Sequence, residues 1–71
     1  MLTTHYKSLK PESKKFAIHR IATRIDTPEH IVKKVLENRN PLMDIRDNRV
    51  VVNRNSYNKL LKEIHKEFTA I

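Results

Sequence analysis

The chain has 71 residues, with 15 lysines and arginines against 8 aspartates and glutamates, so its formal net charge at pH 7 is +7. It contains no cysteine and no glycine, which excludes a disulfide framework, a thiolate metal site and a glycine-rich phosphate loop. A chain this short and basic favours a single domain over residues 1–71 that binds a polyanion, chiefly nucleic acid, rather than an enzyme.

The composition also argues against cofactors and membranes. The sequence has no apolar run long enough to span a membrane and no apolar stretch typical of a signal peptide, so we expect a cytoplasmic protein without a membrane partner. Its histidines fall on separate predicted elements without metal-ligand spacing, so we expect no metal ion, no other cofactor and no small-molecule substrate. These histidines are His5, His19, His30 and His65.

Apolar spacing predicts two helices in the first third of the chain. Leu2, Tyr6 and Leu9 follow one another at helical spacing and predict a short helix over residues 3–9. A second helix over residues 11–25 should begin at Pro11, because the residue before a proline avoids helical geometry. Its polar face would carry cations suited to a phosphate backbone: Lys14, Lys15, His19, Arg20 and Arg24.

Thr27, Pro28 and Glu29 form a start signal for a third helix over about residues 28–38. The Thr27 hydroxyl would accept from free backbone amides, Pro28 would occupy the first helical position, and Glu29 would lie at the positive end of the helix dipole. With a break of only about three residues, the two helices must cross steeply.

Residues 21–36 resemble the helix-turn-helix motif of bacterial and phage transcription regulators. In that motif an Ile-Ala pair and three further apolar residues hold the two helices together, and these positions are Ile21, Ala22, Ile25, Val32 and Val35 here. Asp26 stands at the turn position usually held by glycine, and tolerates the left-handed conformation better than most residues. Ile31 stands where the family often has Thr or Ser, so its side chain would belong to the core, touch a thymine methyl group or face a protein partner.

A β-hairpin is predicted over residues 42–53, with Asp47-Asn48 as a two-residue turn between apolar runs. Arg46 and Arg49 would then face each other across the strands and repel, and an anion between them would remove that cost. A hairpin after a helix-turn-helix resembles the wing of winged-helix proteins, with arginines that would contact a minor groove or a phosphate. The cross-strand pairs would be Met43 with Val52, Asp44 with Val51, Ile45 with Val50 and Arg46 with Arg49.

The last helix is predicted over residues 56–69, with Asn55 or Ser56 as its N-cap. Its apolar stripe is the strongest amphipathic signal in the chain, so it should pack on the core. We expect Phe68, Ala70 and Ile71 to complete that core, with a dimer contact as the alternative. The stripe consists of Tyr57, Leu60, Leu61, Ile64 and Phe68. The predicted fold is therefore mainly α with a small hairpin, in the α+β class, arranged as a winged helix-turn-helix.

The resemblance implies a small transcriptional regulator of the phage or plasmid type that binds double-stranded DNA. The third predicted helix would enter the major groove, and the arginine-tipped hairpin would contact the backbone or minor groove. One copy offers few base contacts, so specific binding would require a homodimer on a two-fold site or a partner protein. The expected DNA-binding residues are Thr27, Glu29, His30, Lys33, Lys34, Arg46, Arg49, Arg24 and Arg20.

The alternative is a winged-helix module that binds a protein, such as a phage-encoded inhibitor of host transcription or replication machinery. An exposed Ile31 and the acidic Glu29 and Glu37 would favour this interpretation, because all three fit poorly against DNA. RNA binding has less support, since no exposed aromatic pair indicates base stacking. The aromatic residues Tyr6, Phe16, Tyr57 and Phe68 all lie in apolar stripes and are expected in the core.

Overall fold

The computed structural model describes residues 2–70 and is mainly helical, with a single antiparallel hairpin in that range. This confirms the predicted α+β class. The elements in chain order are a short 3-10 helix (Tyr6–Ser8), α1 (Pro11–Ile25), α2 (Glu29–Arg39), β1 (Met43–Arg46), β2 (Arg49–Val52) and α3 (Arg54–Thr69).

The helix predicted over residues 3–9 is wrong, since only Tyr6–Ser8 form a single 3-10 turn there. The residues before this turn run beside the start of the hairpin instead. The Tyr6 amide donates to the Pro41 carbonyl at 2.8 Å, and the Met43 amide donates to the Thr4 carbonyl at 2.8 Å. So short a segment gains little from an isolated helix, and pairing with the hairpin satisfies its backbone groups.

Helix α1 has the predicted bounds, and a residue in the left-handed conformation ends it before the turn. Pro11 opens the helix, where its missing amide is no loss. Asp26 follows the last turn in the left-handed conformation, with φ 53° and ψ 53°, and its amide bonds to the Ala22 carbonyl. The aspartate therefore does what glycine usually does at this position.

The start of α2 differs from the prediction. Pro28 precedes the helix as its N-cap, and its carbonyl accepts from the amides of Ile31 and Val32 at 3.2 and 3.3 Å. Thr27 does not cap α2, because it belongs to the end of α1: its amide donates to the Ala22 carbonyl and its hydroxyl donates to the Ile25 carbonyl. The helix runs one residue further than predicted and stops at a left-handed Asn40.

The hairpin has the predicted register, with Arg46 opposite Arg49 and Met43 opposite Val52. Asp47 and Asn48 both have positive φ, 50° and 60°, as a tight two-residue turn requires. Met43 is fully buried, while Ile45 and Val50 are partly buried against the core. One face of the hairpin therefore closes over the helices.

Helix α3 begins at Arg54, two residues earlier than predicted, because Asn53 is the N-cap. The Asn53 side chain accepts from the amides of Asn55 and Ser56 at 2.9 and 3.4 Å. Phe68 is 44% exposed, so its predicted place in the core is wrong. It lies one turn beyond Ile64, the last buried residue of α3, and the core thus ends before the helix does. Ala70 is also exposed, and Ile71 lies outside the described residues.

The buried residues form one cluster drawn from the 3-10 turn, all three helices and β1. They are Tyr6, Ala17, Ile18, Ile21, Ala22, Ile31, Val32, Val35, Leu36, Met43, Leu60 and Ile64. Across residues 2–70, the helices are too short or too polar to cross a lipid bilayer.

Candidate nucleic-acid interface

Four arginines from three elements line one open cleft of about 500 Å³. We call it the arginine cleft. Arg20 and Arg24 come from α1, Arg49 from β2 and Arg54 from the first turn of α3. Below them lies an apolar floor, formed by Ile21, Val50, Val52 and Tyr57.

Local structure explains why these arginines meet. Arg20 and Arg24 are one turn apart on α1 and flank the buried Ile21, so they lie on the same side of the helix. Arg49 opens β2, and Arg54 follows directly after the Asn53 cap. The chain passes from β2 into α3 with a single residue between them. This brings Arg49 and Arg54 to the side of α1 that carries Arg20 and Arg24.

The four guanidinium groups carry charge that the described residues do not neutralise. Within residues 2–70, every carboxylate that forms an ion pair does so with another cation. Arg24 lies over the Tyr57 ring with 5.8 Å between guanidinium carbon and ring centroid, and Arg20 lies over Phe16 at 6.0 Å. Such cation–π contacts orient a guanidinium without cancelling its charge. The cleft is therefore a concentrated positive site.

A second cleft, of about 440 Å³, lies between α1 and α2 and has mixed charge. We call it the lysine groove. Its cations are Lys14, Lys15 and Lys33, and His30 also lines it, but Glu29 and Glu37 line the same groove. These carboxylates lower the positive potential that the groove presents to a polyanion.

Tyr6 forms a wall of the lysine groove. Burial of the ring, together with the nearby negative charge of Glu37, raises the pKa of the Tyr6 hydroxyl above its ordinary value of 10.0. Lys14 lies over this ring at 5.8 Å. The tyrosine therefore stays neutral, and the formal charge of the groove comes from its lysines and glutamates.

Glu29 contacts α1 rather than projecting freely from α2. Its Oε2 atom lies 3.1 Å from His19 Nδ1, and both side chains are more than half exposed, at 60% and 70%. The contact joins α1 to the first turn of α2. A carboxylate held there by histidine is less able to accept from a cytosine amine, the base contact that would make it useful in a groove.

Lys34 lies at the interface between α2 and α3. Its Nζ atom is 3.1 Å from Glu67 Oε2, and five residues further along α2 Arg39 bonds to Glu63 at 3.0 Å. Neighbouring residues on a helix point about 100° apart, which explains why Lys33 lines the lysine groove while Lys34 turns toward α3. These two exposed ion pairs align α3 on α2.

The two arginines at the hairpin tip have different surroundings. Arg46 Nε donates to Asp44 Oδ2 at 3.2 Å, whereas Arg49 lines the arginine cleft. Asp44 lies two residues before Arg46 on the same face of β1 and lowers the repulsion between the two arginines. The expected repulsion is thus partly relieved within the chain.

The nine expected DNA-binding residues therefore divide into three groups. Arg20, Arg24 and Arg49 meet in the arginine cleft, and Glu29, His30 and Lys33 line the lysine groove. The others lie in neither cleft: Thr27, Lys34 and Arg46.

Arg54 was missed by sequence reasoning. Its signal was the N-cap: with Asn53 recognised as the cap, Arg54 becomes the first residue of α3, directly beside the end of β2. Ile31 is 4% exposed, so it belongs to the core, and neither a thymine methyl nor a protein partner can reach it.

Within the part of the chain that the structure describes, no group of three His, Asp or Glu side chains could hold a metal ion. Comparison with known proteins gives no match to a family, to a curated protein or to a solved structure. Function is therefore inferred from the geometry of the two clefts.

Proposed function

We propose that this chain is a small DNA-binding protein, in which α1 and α2 act as a helix-turn-helix and the hairpin acts as the wing of a winged-helix domain. Three features support this. Only three residues join α1 to α2, with Asp26 in the left-handed conformation. The apolar positions of the motif, such as Ala22 and Val35, are buried between the helices. The hairpin follows α2 directly and places Arg49 beside α1.

The observation that carries the proposal is the arginine cleft. Four guanidinium groups from α1, the hairpin and α3 converge there, and within residues 2–70 none forms an ion pair with a carboxylate. Like charges that line one cleft repel one another, and a bound anion would compensate them. The planar guanidinium fork matches phosphate oxygens in a bidentate arrangement, so a phosphate backbone is the polyanion that fits best.

In this mechanism the positive surface gathers the duplex by releasing counterions, and the arginine cleft fixes its position on the backbone. His30 and Lys33 are exposed on α2 and would donate to base edges or phosphates of a major groove. Lys34 would have to exchange its bond to Glu67 for any base contact. Transcriptional regulation would then follow from occupying a site, with a dimer supplying further base contacts.

A second candidate is binding of a protein partner, and the structure changes the observations that favour it. The buried Ile31 no longer favours it. Instead, Phe68 and Leu42 are 44% and 37% exposed, and aromatic residues such as Phe68 are enriched in protein interfaces. The mixed charge of the lysine groove also suits a protein surface better than a phosphate backbone.

The test is fluorescence anisotropy with a random-sequence DNA duplex at several salt concentrations. We expect the logarithm of the binding constant to fall linearly with the logarithm of salt, with a slope of about −0.9 per phosphate contact. The triple variant R20A/R24A/R49A should bind about a hundredfold more weakly at low salt, because each lost contact costs about 1 kcal/mol. Its slope should be shallower by about one unit per arginine.

The matched control is K59A/K62A/K66A, which removes the same charge from the exposed side of α3, away from both clefts. It should bind DNA with nearly unchanged affinity and a slope close to that of the original protein. An equal loss in both triple variants would mean that the attraction is only diffuse. No binding to DNA even at low salt would contradict the proposed function and favour the protein-binding candidate.

A further inference from the structure

The floor of the arginine cleft has no role in holding the backbone of an intact duplex. Ile21, Val50, Val52 and Tyr57 form this floor, and apart from Ile21 they keep part of their surface exposed. A duplex backbone presents phosphates and sugars, while its bases are stacked inside and show only their edges in the grooves. The floor packs against the core on its inner side, and its outer side is suited to a ligand that brings an apolar or aromatic group along with its negative charge.

The size and the planar groups of the cleft fit one such ligand. At about 500 Å³, the cleft falls within the range of about 300–1,000 Å³ that small-ligand pockets occupy. Arg24 and Tyr57 meet in the cleft, with the guanidinium over the ring. Aromatic rings and guanidinium planes are the groups on which unpaired nucleobases stack.

We propose that the arginine cleft binds an unpaired nucleotide of a DNA strand. The base lies on the apolar floor beside Tyr57 and Arg24, and the adjoining phosphates bind Arg20, Arg49 and Arg54. This rests on the proposed DNA-binding function and deepens it, because it assigns the preferred substrate as DNA with a single-stranded segment or end. An acidic peptide with an apolar side chain is the competing occupant. Its carboxylates could bind the arginines, but unlike a nucleobase they have no flat ring to stack on the aromatic ring or the guanidinium plane.

The experiment compares three DNA ligands by anisotropy at one salt concentration: a blunt duplex, the same duplex with a short single-stranded overhang, and that overhang with its bases removed as abasic sites. The overhang duplex should bind about tenfold more tightly than the blunt duplex, since stacking of one base accounts for a change of about fivefold to 150-fold. The abasic overhang keeps every phosphate but should lose most of the gain.

The variant Y57L keeps an apolar side chain and removes the ring. Its ratio of overhang affinity to blunt-duplex affinity should fall close to one, and because both ligands are measured on the same variant, this ratio corrects for any change in the Arg24 contact with DNA. Y57F keeps the ring and should keep the preference. The abasic comparison uses the unaltered protein, so the proposal stays testable even where Y57L folds poorly.

The contrary outcomes separate this inference from the function on which it rests. Equal affinity for blunt and overhang duplexes, or an abasic overhang that binds as tightly as the normal one, overturns the inference and leaves DNA binding intact. Failure to bind any of the three ligands overturns DNA binding itself. If poly-glutamate binds as tightly as the overhang duplex and Y57L weakens both equally, the cleft is an acidic-peptide site and the inference is wrong.

Discussion

The arginine cleft and the lysine groove contain similar numbers of cationic side chains, yet they differ in what surrounds those cations. Glu29 and Glu37 line the lysine groove beside its lysines, whereas among residues 2–70 no acidic residue lines the arginine cleft. The net charge of +7 therefore says little about where a polyanion binds. The separation of cations from carboxylates decides it, because a local potential depends on nearby charges of both signs.

The difference arises from the period of α1. Lys15 and Arg24 are nine residues apart, which at about 100° per residue places them on opposite sides of the helix. What the sequence presents as one cationic face is thus divided between two clefts. The side with Lys15 meets the acidic positions of α2, and the side with Arg24 meets the basic positions of the hairpin and α3.

The largest expected effect comes from reversing charge in each cleft. R24E/R49E should lower affinity for duplex DNA by about a thousandfold at low salt, because it replaces two phosphate contacts by two repulsive charges. K14E/K33E changes the net charge by the same amount but should cost only about tenfold, since the groove already contains carboxylates. Anisotropy measures both. A greater loss in K14E/K33E would make the lysine groove the primary DNA site.

A smaller effect is expected from removing the carboxylates that distinguish the two clefts. E29Q/E37Q should raise DNA affinity about threefold to tenfold and steepen the salt slope, because the lysine groove becomes more like the arginine cleft. The loss of the exposed His19 contact should change the free energy of unfolding by less than about 1 kcal/mol.

The same variant has an independent readout in the tyrosine of the groove. The pKa of Tyr6 should fall, but it should stay above its ordinary value, because burial is the larger cause of its elevation and the Glu37 charge the smaller. Absorbance titration of the tyrosinate measures this change. If the Tyr6 pKa falls while DNA affinity stays the same, the groove has lost negative charge without gaining a role in binding.

The features predicted correctly are set by local sequence, although the caps of α2 and α3, which are also local, were assigned to the wrong residues. The bounds of α1 and the register of the hairpin follow from an apolar stripe, a proline and the Asp47-Asn48 turn, all close in sequence. The extended N-terminal segment depends on pairing with residues near Pro41, and that pairing has no signal in Leu2, Tyr6 and Leu9 themselves.

The same limit applies to the candidate site. Arg20, Arg24 and Arg49 were expected to bind a common ligand, and the structure places them together. Lys34 was expected to be available for bases, but its partner Glu67 lies 33 residues away, and no spacing rule links the two. The sequence thus predicted three of the arginines that share a cleft, but it did not predict the ion pairs between elements.

The smallest expected effect is on the free energy of unfolding, and it distinguishes the two clefts in the absence of DNA. In chloride buffer, R49Q should raise the free energy of unfolding by about 0.3–0.5 kcal/mol, because it removes one of several like charges that repel at close range. The control K33Q should not raise the free energy of unfolding, since Lys33 has carboxylates beside it in the lysine groove.

In sulfate at matched ionic strength, an anion held by the arginines stabilises the original protein, so the stability advantage of R49Q should vanish or reverse. Sulfate strengthens folding of any protein, and K33Q corrects for that general effect. Urea unfolding in both salts measures the difference. If sulfate stabilises R49Q, K33Q and the original protein equally, the cleft arginines do not hold an anion together, and the contrast between the two clefts is one of charge alone.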